Sequence, residues 1–113
     1  MALVTMTEML QVARKEKRAI GAFNVANYET ALAVLKAAEG EHSPVIIQVY
    51  DRLFQSDKAA DIAGTLIRLA LRSNQPIALH LDHGATLDHV AVALHAGYTS
   101  VMFDGSRRVE TAV

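Results

Sequence analysis

Residues 76–104 read PIALHLDHGATLDHVAVALHAGYTSVMFD, and the ordering of apolar and polar residues within them decides the fold class. Pro76 opens a short run, residues 77–82, whose apolar positions fall on both faces of an extended chain, the mark of a strand covered on both sides. Thr86 then stands where a helix N-cap belongs, Val90, Ala93 and Leu94 follow at helical spacing, and Gly97 supplies the stop. Residues 100–104 read as the next strand. Strand, helix and strand at this spacing form a βαβ unit, so the strands are expected to run parallel with a right-handed crossover.

The unit repeats toward the N-terminus. Residues 45–50 follow Pro44 and are apolar apart from Gln48 and the terminal Tyr50, a second buried strand; residues 19–25 read as an earlier one whose polar end is Asn24. Between them Asn27 caps a helix with Ala31, Val34, Leu35 and Ala38 on one face and Gly40 near its end. A loop after residue 50 leads to Asp57, read as the cap of a helix burying Ile62, Leu66, Leu69 and Ala70. The chain opens with a helix in which Thr5 and Glu8 form a capping box, Met6, Met9, Leu10 and Ala13 share a face, and residues 14–18 form a polar exit. The last seven residues read as the start of another helix. One helix plus four strand–helix units, the last incomplete, is an α/β pattern. It suits two architectures: the N-terminal half of a (β/α)8 TIM barrel, or a small doubly wound sheet. A complete barrel takes roughly 250 residues, and this sequence has 113.

Composition removes several function classes. With 51% hydrophobic residues the chain can build a core, which argues against disorder. The net charge of -1 is spread over interspersed acids and bases, and only Lys15, Lys17 and Arg18 cluster, so no nucleic-acid surface is expected. Without cysteine, disulfides and thiolate metal sites are excluded. No stretch approaches 18 uninterrupted apolar residues, so no membrane span is expected, and the first ten residues lack the pattern of a secretory signal. A cytoplasmic protein is the expectation.

Polar side chains gather at the strand ends: Asn24, then Gln48 and Tyr50, then His80 with Asp82 and His83, then Asp104 and Ser106. In either architecture the C-terminal strand ends are where ligands bind. Imidazole is a good zinc ligand, and a carboxylate beside a metal can move protons. Spacing alone leaves the matter even, because His80 and Asp82 could equally hydrogen-bond each other and the neighbouring loops, and a catalytic zinc usually needs about three protein ligands. His42, His89 and His95 read onto helices or their exits and are expected to serve packing or the surface, Met6, Met9 and Met102 to fill the core, and Arg107 and Arg108 to lie in a solvated loop.

The segment Pro76-Ile-Ala-Leu-His-Leu-Asp-His-Gly84 resembles the first signature of the class II, zinc-dependent fructose- and tagatose-bisphosphate aldolases. Gly21-Ala-Phe-Asn-Val25, Ser43-Pro-Val-Ile-Ile-Gln48 and Ser100-Val-Met-Phe-Asp-Gly-Ser106 resemble the same family in the same order. The resemblance implies a (β/α)8 barrel that reversibly joins dihydroxyacetone phosphate to an aldehyde, typically glyceraldehyde 3-phosphate, with zinc polarising the ketone. It casts His83 as a ligand of the catalytic zinc and Asp104 as a carboxylate at a second metal position, with a second divalent ion and a monovalent cation both allowed. Asp82 becomes the acid–base group, and Asn24, Gln48 and Ser106 become substrate contacts. Sugar phosphates and a homo-oligomeric assembly are the partners it implies. A lysine Schiff-base mechanism is disfavoured, since Lys15, Lys17, Lys36 and Lys58 all read onto helices or their polar ends.

The family pattern is not matched throughout. Tyr50 stands where many members carry a small hydroxyl residue, and the segment after Ser106 looks short. The second family signature, later histidines and phosphate loops have no counterpart here, so residues 1–113 are expected to be a partial barrel lacking its C-terminal half. Two other readings remain: a non-catalytic half barrel that acts by association, and a small α/β domain that binds a phosphorylated ligand.

Overall fold

The computed structural model describes residues 2–106. Four parallel strands form one sheet in the order β1-β2-β3-β4: β1 is Ala22–Asn24, β2 Val45–Tyr50, β3 Ile77–Gly84 and β4 Ser100–Phe103. The helices are α1, Met6–Lys15; α2, Tyr28–Gly40; α3, Lys58–Arg72; and α4, Leu87–Ala96. The helix expected after Ser106 lies outside the described residues.

Three of the expected N-caps form, although at Thr5 the box stays half made, the Glu8 carboxylate accepting from the Thr5 hydroxyl rather than from its amide. Thr5 Oγ1 accepts the Glu8 amide at 3.2 Å, Asn27 and Thr30 form a reciprocal capping box, and Thr86 Oγ1 accepts the His89 amide at 3.0 Å. Gly97 ends α4 with φ 107°, a left-handed conformation that glycine adopts without a Cβ penalty. Asp57 departs from expectation: it precedes α3 without a side-chain bond, and the Lys58 amide reaches Ser56 Oγ at 3.4 Å instead. The loop expected after Tyr50 is a 3-10 helix, Asp51–Gln55. Strand β1 is shorter than the 19–25 expected, because β2 pairs with it on one side only; β3 runs two residues longer and β4 one shorter. Leu10, read onto the packed face of α1, is exposed, as is Leu94 of α4.

Alternation divides the sheet. Val45, Ile47 and Val49 of β2, with Ile77, Leu79 and Leu81 of β3, point into the main core, where they meet Ala31 and Leu35 of α2, Leu66 and Leu69 of α3, and Ala93 of α4. The opposite face holds a smaller cluster, Met9 of α1 with Ile46 and Ala78. Crossover helices α2, α3 and α4 therefore cover one face, and the strand order never reverses. A doubly wound sheet reverses its order and places helices on both faces. Sequential order with one-sided crossovers is the barrel pattern, so the chain has the architecture of the first four strands of a (β/α)8 barrel.

Candidate active site

Register places the polar residues in a row. Asn24 pairs with Gln48, Gln48 with His80 and His80 with Ser100, so the four lie side by side on the face away from the main core. Tyr50 and Asp82 pair one step nearer the C-terminal end on that same face. Below them lie Ala22, Ile46 and Ala78, all apolar. Apolar side chains thus fill the floor of this face, and polar ones begin where the strands approach their ends.

Strict alternation would turn His83 away from Asp82. Two features prevent it. His83 has φ 54°, in the left-handed region that few residues other than glycine occupy. The ladder also slips: Leu81 opposes Val101, yet Gly84 opposes Phe103, so β3 takes three steps where β4 takes two. The bulge brings the His83 ring to Asp104, with Nδ1 2.9 Å from Oδ2, and leaves Nε2 3.8 Å from Asp82 Oδ1. Gly84 has no room for a side chain: a Cβ there would stand 3.0 Å from the Met102 carbonyl oxygen and 2.9 Å from Leu81 Cδ2.

Asp104 is fixed from a second side by the Ser106 amide, which donates to Oδ1 at 2.9 Å. Hydrogen bonds from Ser106, then that from His83, hold its carboxyl well below the usual carboxylate range. His80 is buried, with Nδ1 2.8 Å from Ser100 Oγ, whose hydroxyl also lies 3.8 Å from Met6 Sδ. Burial lowers its pKa from the ordinary 6.5; nearby Asp82 opposes that shift and His83 adds to it. A cavity of about 800 Å³ opens over this end of the sheet, lined by His83, Ala85, Asp104 and Ser106, by Tyr50 at the end of β2, and by Asp51, Arg52 and Gln55 just after it.

The structure thus brings His83, Asp104 and Ser106 together on the cavity wall, with Asp82 3.8 Å from His83 but not itself lining the cavity. It sets Asn24 and Gln48 further down the same face rather than on the cavity wall. Sequence reasoning missed Arg52 and Asp51, and it read His89 as bland. Asp51 is buried, and its Oδ1 accepts from His89 Nδ1 at 2.7 Å and from the Ala85 amide at 2.9 Å. These partners stand 38 and 34 residues from Asp51, a separation that no local pattern encodes.

The family model for class-II fructose-bisphosphate aldolase matches residues 4–111. The chain belongs to that family. It is 45% identical over 112 residues to a 6-phospho-5-dehydro-2-deoxy-D-gluconate aldolase of Halalkalibacterium halodurans, across 94% of this chain and 38% of that protein. It is also 41% identical over 115 residues to a fructose-bisphosphate aldolase of Geobacillus stearothermophilus, with the same two coverages of 94% and 38%. The crystal structure of the YdjI aldolase from Escherichia coli K12 superposes with a TM-score of 0.85 at 30% identity, covering 92% of this chain and 40% of that one. The chain therefore spans roughly two-fifths of the length of these aldolases.

Class II aldolases are generally zinc-dependent, and the donors present fit part of a zinc site. A carboxylate oxygen only accepts, so His83 Nδ1 donates to Asp104, and the imidazole lone pair falls on Nε2, the usual tautomer of a zinc-binding histidine backed by a carboxylate. No group of three or more His, Cys, Asp or Glu side chains is arranged to hold a metal ion among the described residues.

Proposed function

We propose that the protein containing this chain is a zinc-dependent ketose-bisphosphate aldolase, and that residues 1–113 form the N-terminal half of its (β/α)8 barrel. The observation that carries the reading is the junction of β3 and β4, where Asp82, His83 and Asp104 meet beside a large polar cavity at the C-terminal strand ends. The reaction is reversible cleavage of a ketose 1,6-bisphosphate to dihydroxyacetone phosphate and glyceraldehyde 3-phosphate. Zinc, when bound, would act as a Lewis acid on the substrate ketone.

The chain's own residues take separate parts. His83 offers Nε2 to the metal while Asp104 fixes its ring through Nδ1. In this arrangement Asp104 serves His83, and each of its oxygens, with one donor apiece, keeps a lone pair that a second divalent ion could take. Asp82 gives its proton to the aldehyde oxygen during condensation and takes it from the corresponding hydroxyl during cleavage. Arg52 lines the cavity without an ion-pair partner among the described residues, a positive charge suited to an anionic substrate group. Ser106 orients a substrate hydroxyl from the cavity wall, and Asn24 and Gln48 take that part only for a substrate that reaches further down the face. The cytoplasm and a homo-oligomer are the setting that this reading carries.

The test uses the full-length protein with fructose 1,6-bisphosphate, tagatose 1,6-bisphosphate and 6-phospho-5-dehydro-2-deoxy-D-gluconate offered separately. Cleavage of one of the two bisphosphates should disappear with a chelator and return with zinc, whereas chelator-sensitive cleavage of the gluconate alone would keep the metal and overturn the bisphosphate substrate. Activity that survives the chelator and is trapped by borohydride would sink the reading, because it would reveal a lysine Schiff base.

A further inference from the structure

Asp51 lies outside the Asp82–His83–Asp104 group but is tied to the backbone that shapes it. Its side chain is almost wholly enclosed, 6% exposed for the residue, and one oxygen takes two donors from the segment after β3. The first is the amide of Ala85, two residues beyond His83. The second is Nδ1 of His89, in the first turn of α4, whose ring packs tilted against Phe54 at 6.1 Å between centroids. On the opposite side, the Asp104 amide donates to the Gly84 carbonyl at 2.8 Å. The peptide group between Gly84 and Ala85, directly after His83, is therefore held from both sides: the Asp104 amide beside β4 takes its carbonyl, and Asp51 after β2 takes its N–H.

A left-handed non-glycine residue persists only where its surroundings over-determine it. The β4 anchor is part of the ladder. The Asp51 anchor is a side chain reaching over from the neighbouring strand, placed by the 3-10 helix that follows Tyr50. We infer that Asp51, braced by His89, is a positioning residue that sets the left-handed turn at His83 and so aims the imidazole at both Asp104 and the metal position. The inference rests on the aldolase reading for its consequence, but its geometry does not depend on that reading.

The experiment uses the full-length protein and two readouts other than turnover. One is the nitrogen chemical shifts of the His83 imidazole, which report the Nδ1 hydrogen bond to Asp104. The other is zinc affinity, from competition with a chromogenic chelator. Asp51→Ala should shift the His83 signals and weaken zinc by about 10–100-fold, the range for losing a group that orients a metal ligand. Asp51→Asn keeps an oxygen for the Ala85 amide and should recover most of that loss. Should Asp51→Ala fail to fold, His89→Ala decides, because it leaves the Ala85 bond in place. It should weaken zinc by several-fold and move the His83 signals. A folded Asp51→Ala or His89→Ala protein with unchanged His83 signals and unchanged zinc affinity overturns the inference. If the wild-type protein binds no zinc at all, the aldolase reading fails, and the His83 signals alone then judge the positioning role.

Discussion

His83 combines a left-handed backbone, about 1–2 kcal/mol costly for an L residue, with a side chain shared between two carboxylates. That cost is acceptable where the chain must present a ring that alternation would otherwise hide, and it separates the duties of two adjacent residues. His83→Ala in the full-length protein should lower zinc affinity. Asp82→Ala should leave zinc bound while slowing cleavage and condensation by about 10²–10⁴-fold, the usual range for a lost acid–base group. Metal analysis beside steady-state rates checks both, and loss of metal from Asp82→Ala with retention in His83→Ala would reverse the assignment. His80, one step down the face, carries a pH dependence of its own. Its folded pKa lies below the ordinary 6.5, chiefly through burial, so the unfolded chain takes up a proton that the folded chain resists. Stability should rise with pH across that window and fall as pH drops below about 6.5 toward the lower folded value. His80→Asn keeps a partner for Ser100 and removes the titration, so the acid limb of Tm against pH should flatten. A limb as steep as wild type's would mean that other groups carry it.

At the scale of elements, what was legible followed from local chemistry. Thr5, Asn27 and Thr86 announced helix starts and Gly97 an end because capping is settled within a few residues. Runs such as residues 45–50 announced parallel strands because their apolar residues fall on both faces. Three things were not legible. The strand order depends on which edges pair, and β1 frayed from the seven residues expected to three because only β2 holds it. The left-handed residue of the bulge is His83 and not its neighbour Gly84, so the residue types showed the pair Asp82–His83 but not the backbone turn that brings His83 to Asp104. The Asp51–His89–Ala85 link joins two units across the sheet and has no period. Tyr98 shows a further tertiary decision: packed edge-on to Phe54 at 5.6 Å, its hydroxyl is buried without a hydrogen-bond partner among the described residues. Burial pushes its ionisation far up. A buried unmade hydrogen bond is destabilising, and phenylalanine keeps the ring while removing the group. Tyr98→Phe should therefore stabilise the fold by about 1 kcal/mol, read as a higher denaturant midpoint at unchanged slope; a loss of stability would reveal a partner for that hydroxyl.

The molecule as a whole is a slab, with extents of 49 × 32 × 19 Å and a radius of gyration of 14.5 Å, where a compact chain of this length has about 13 Å. One sheet and one layer of crossover helices account for that shape, and α1 alone covers part of the other face. Strands β1 and β4 each pair on one side, and each carries an exposed aromatic residue, Phe23 at 51% and Phe103 at 41%. Beside β1 an apolar groove of about 620 Å³ runs between Ile20 and Phe23 on one wall and Val34 and Ala37 of α2 on the other. Open parallel edges template pairing with other chains, and each Å² of apolar surface left in water forfeits about 25 cal/mol from a balance that is marginal even for complete domains. On the proposed reading the zinc site is short of ligands as well, since among the described residues His83 and Asp104 are too few donors for a catalytic zinc, which takes about three. A polypeptide of residues 1–113 expressed alone should therefore be inactive as an aldolase and should dimerise, aggregate or stay partly molten. Mixing it with the remainder of a full-length family member should restore a sharp melt and bound zinc, because the added strands would cover both edges and bring the missing ligands. Sedimentation at several concentrations, thermal melting and an aldolase assay together decide the matter. A sharply melting, inactive monomer would show that four strands suffice as an independent domain, and an active monomer would show that the zinc site needs no ligand beyond this chain.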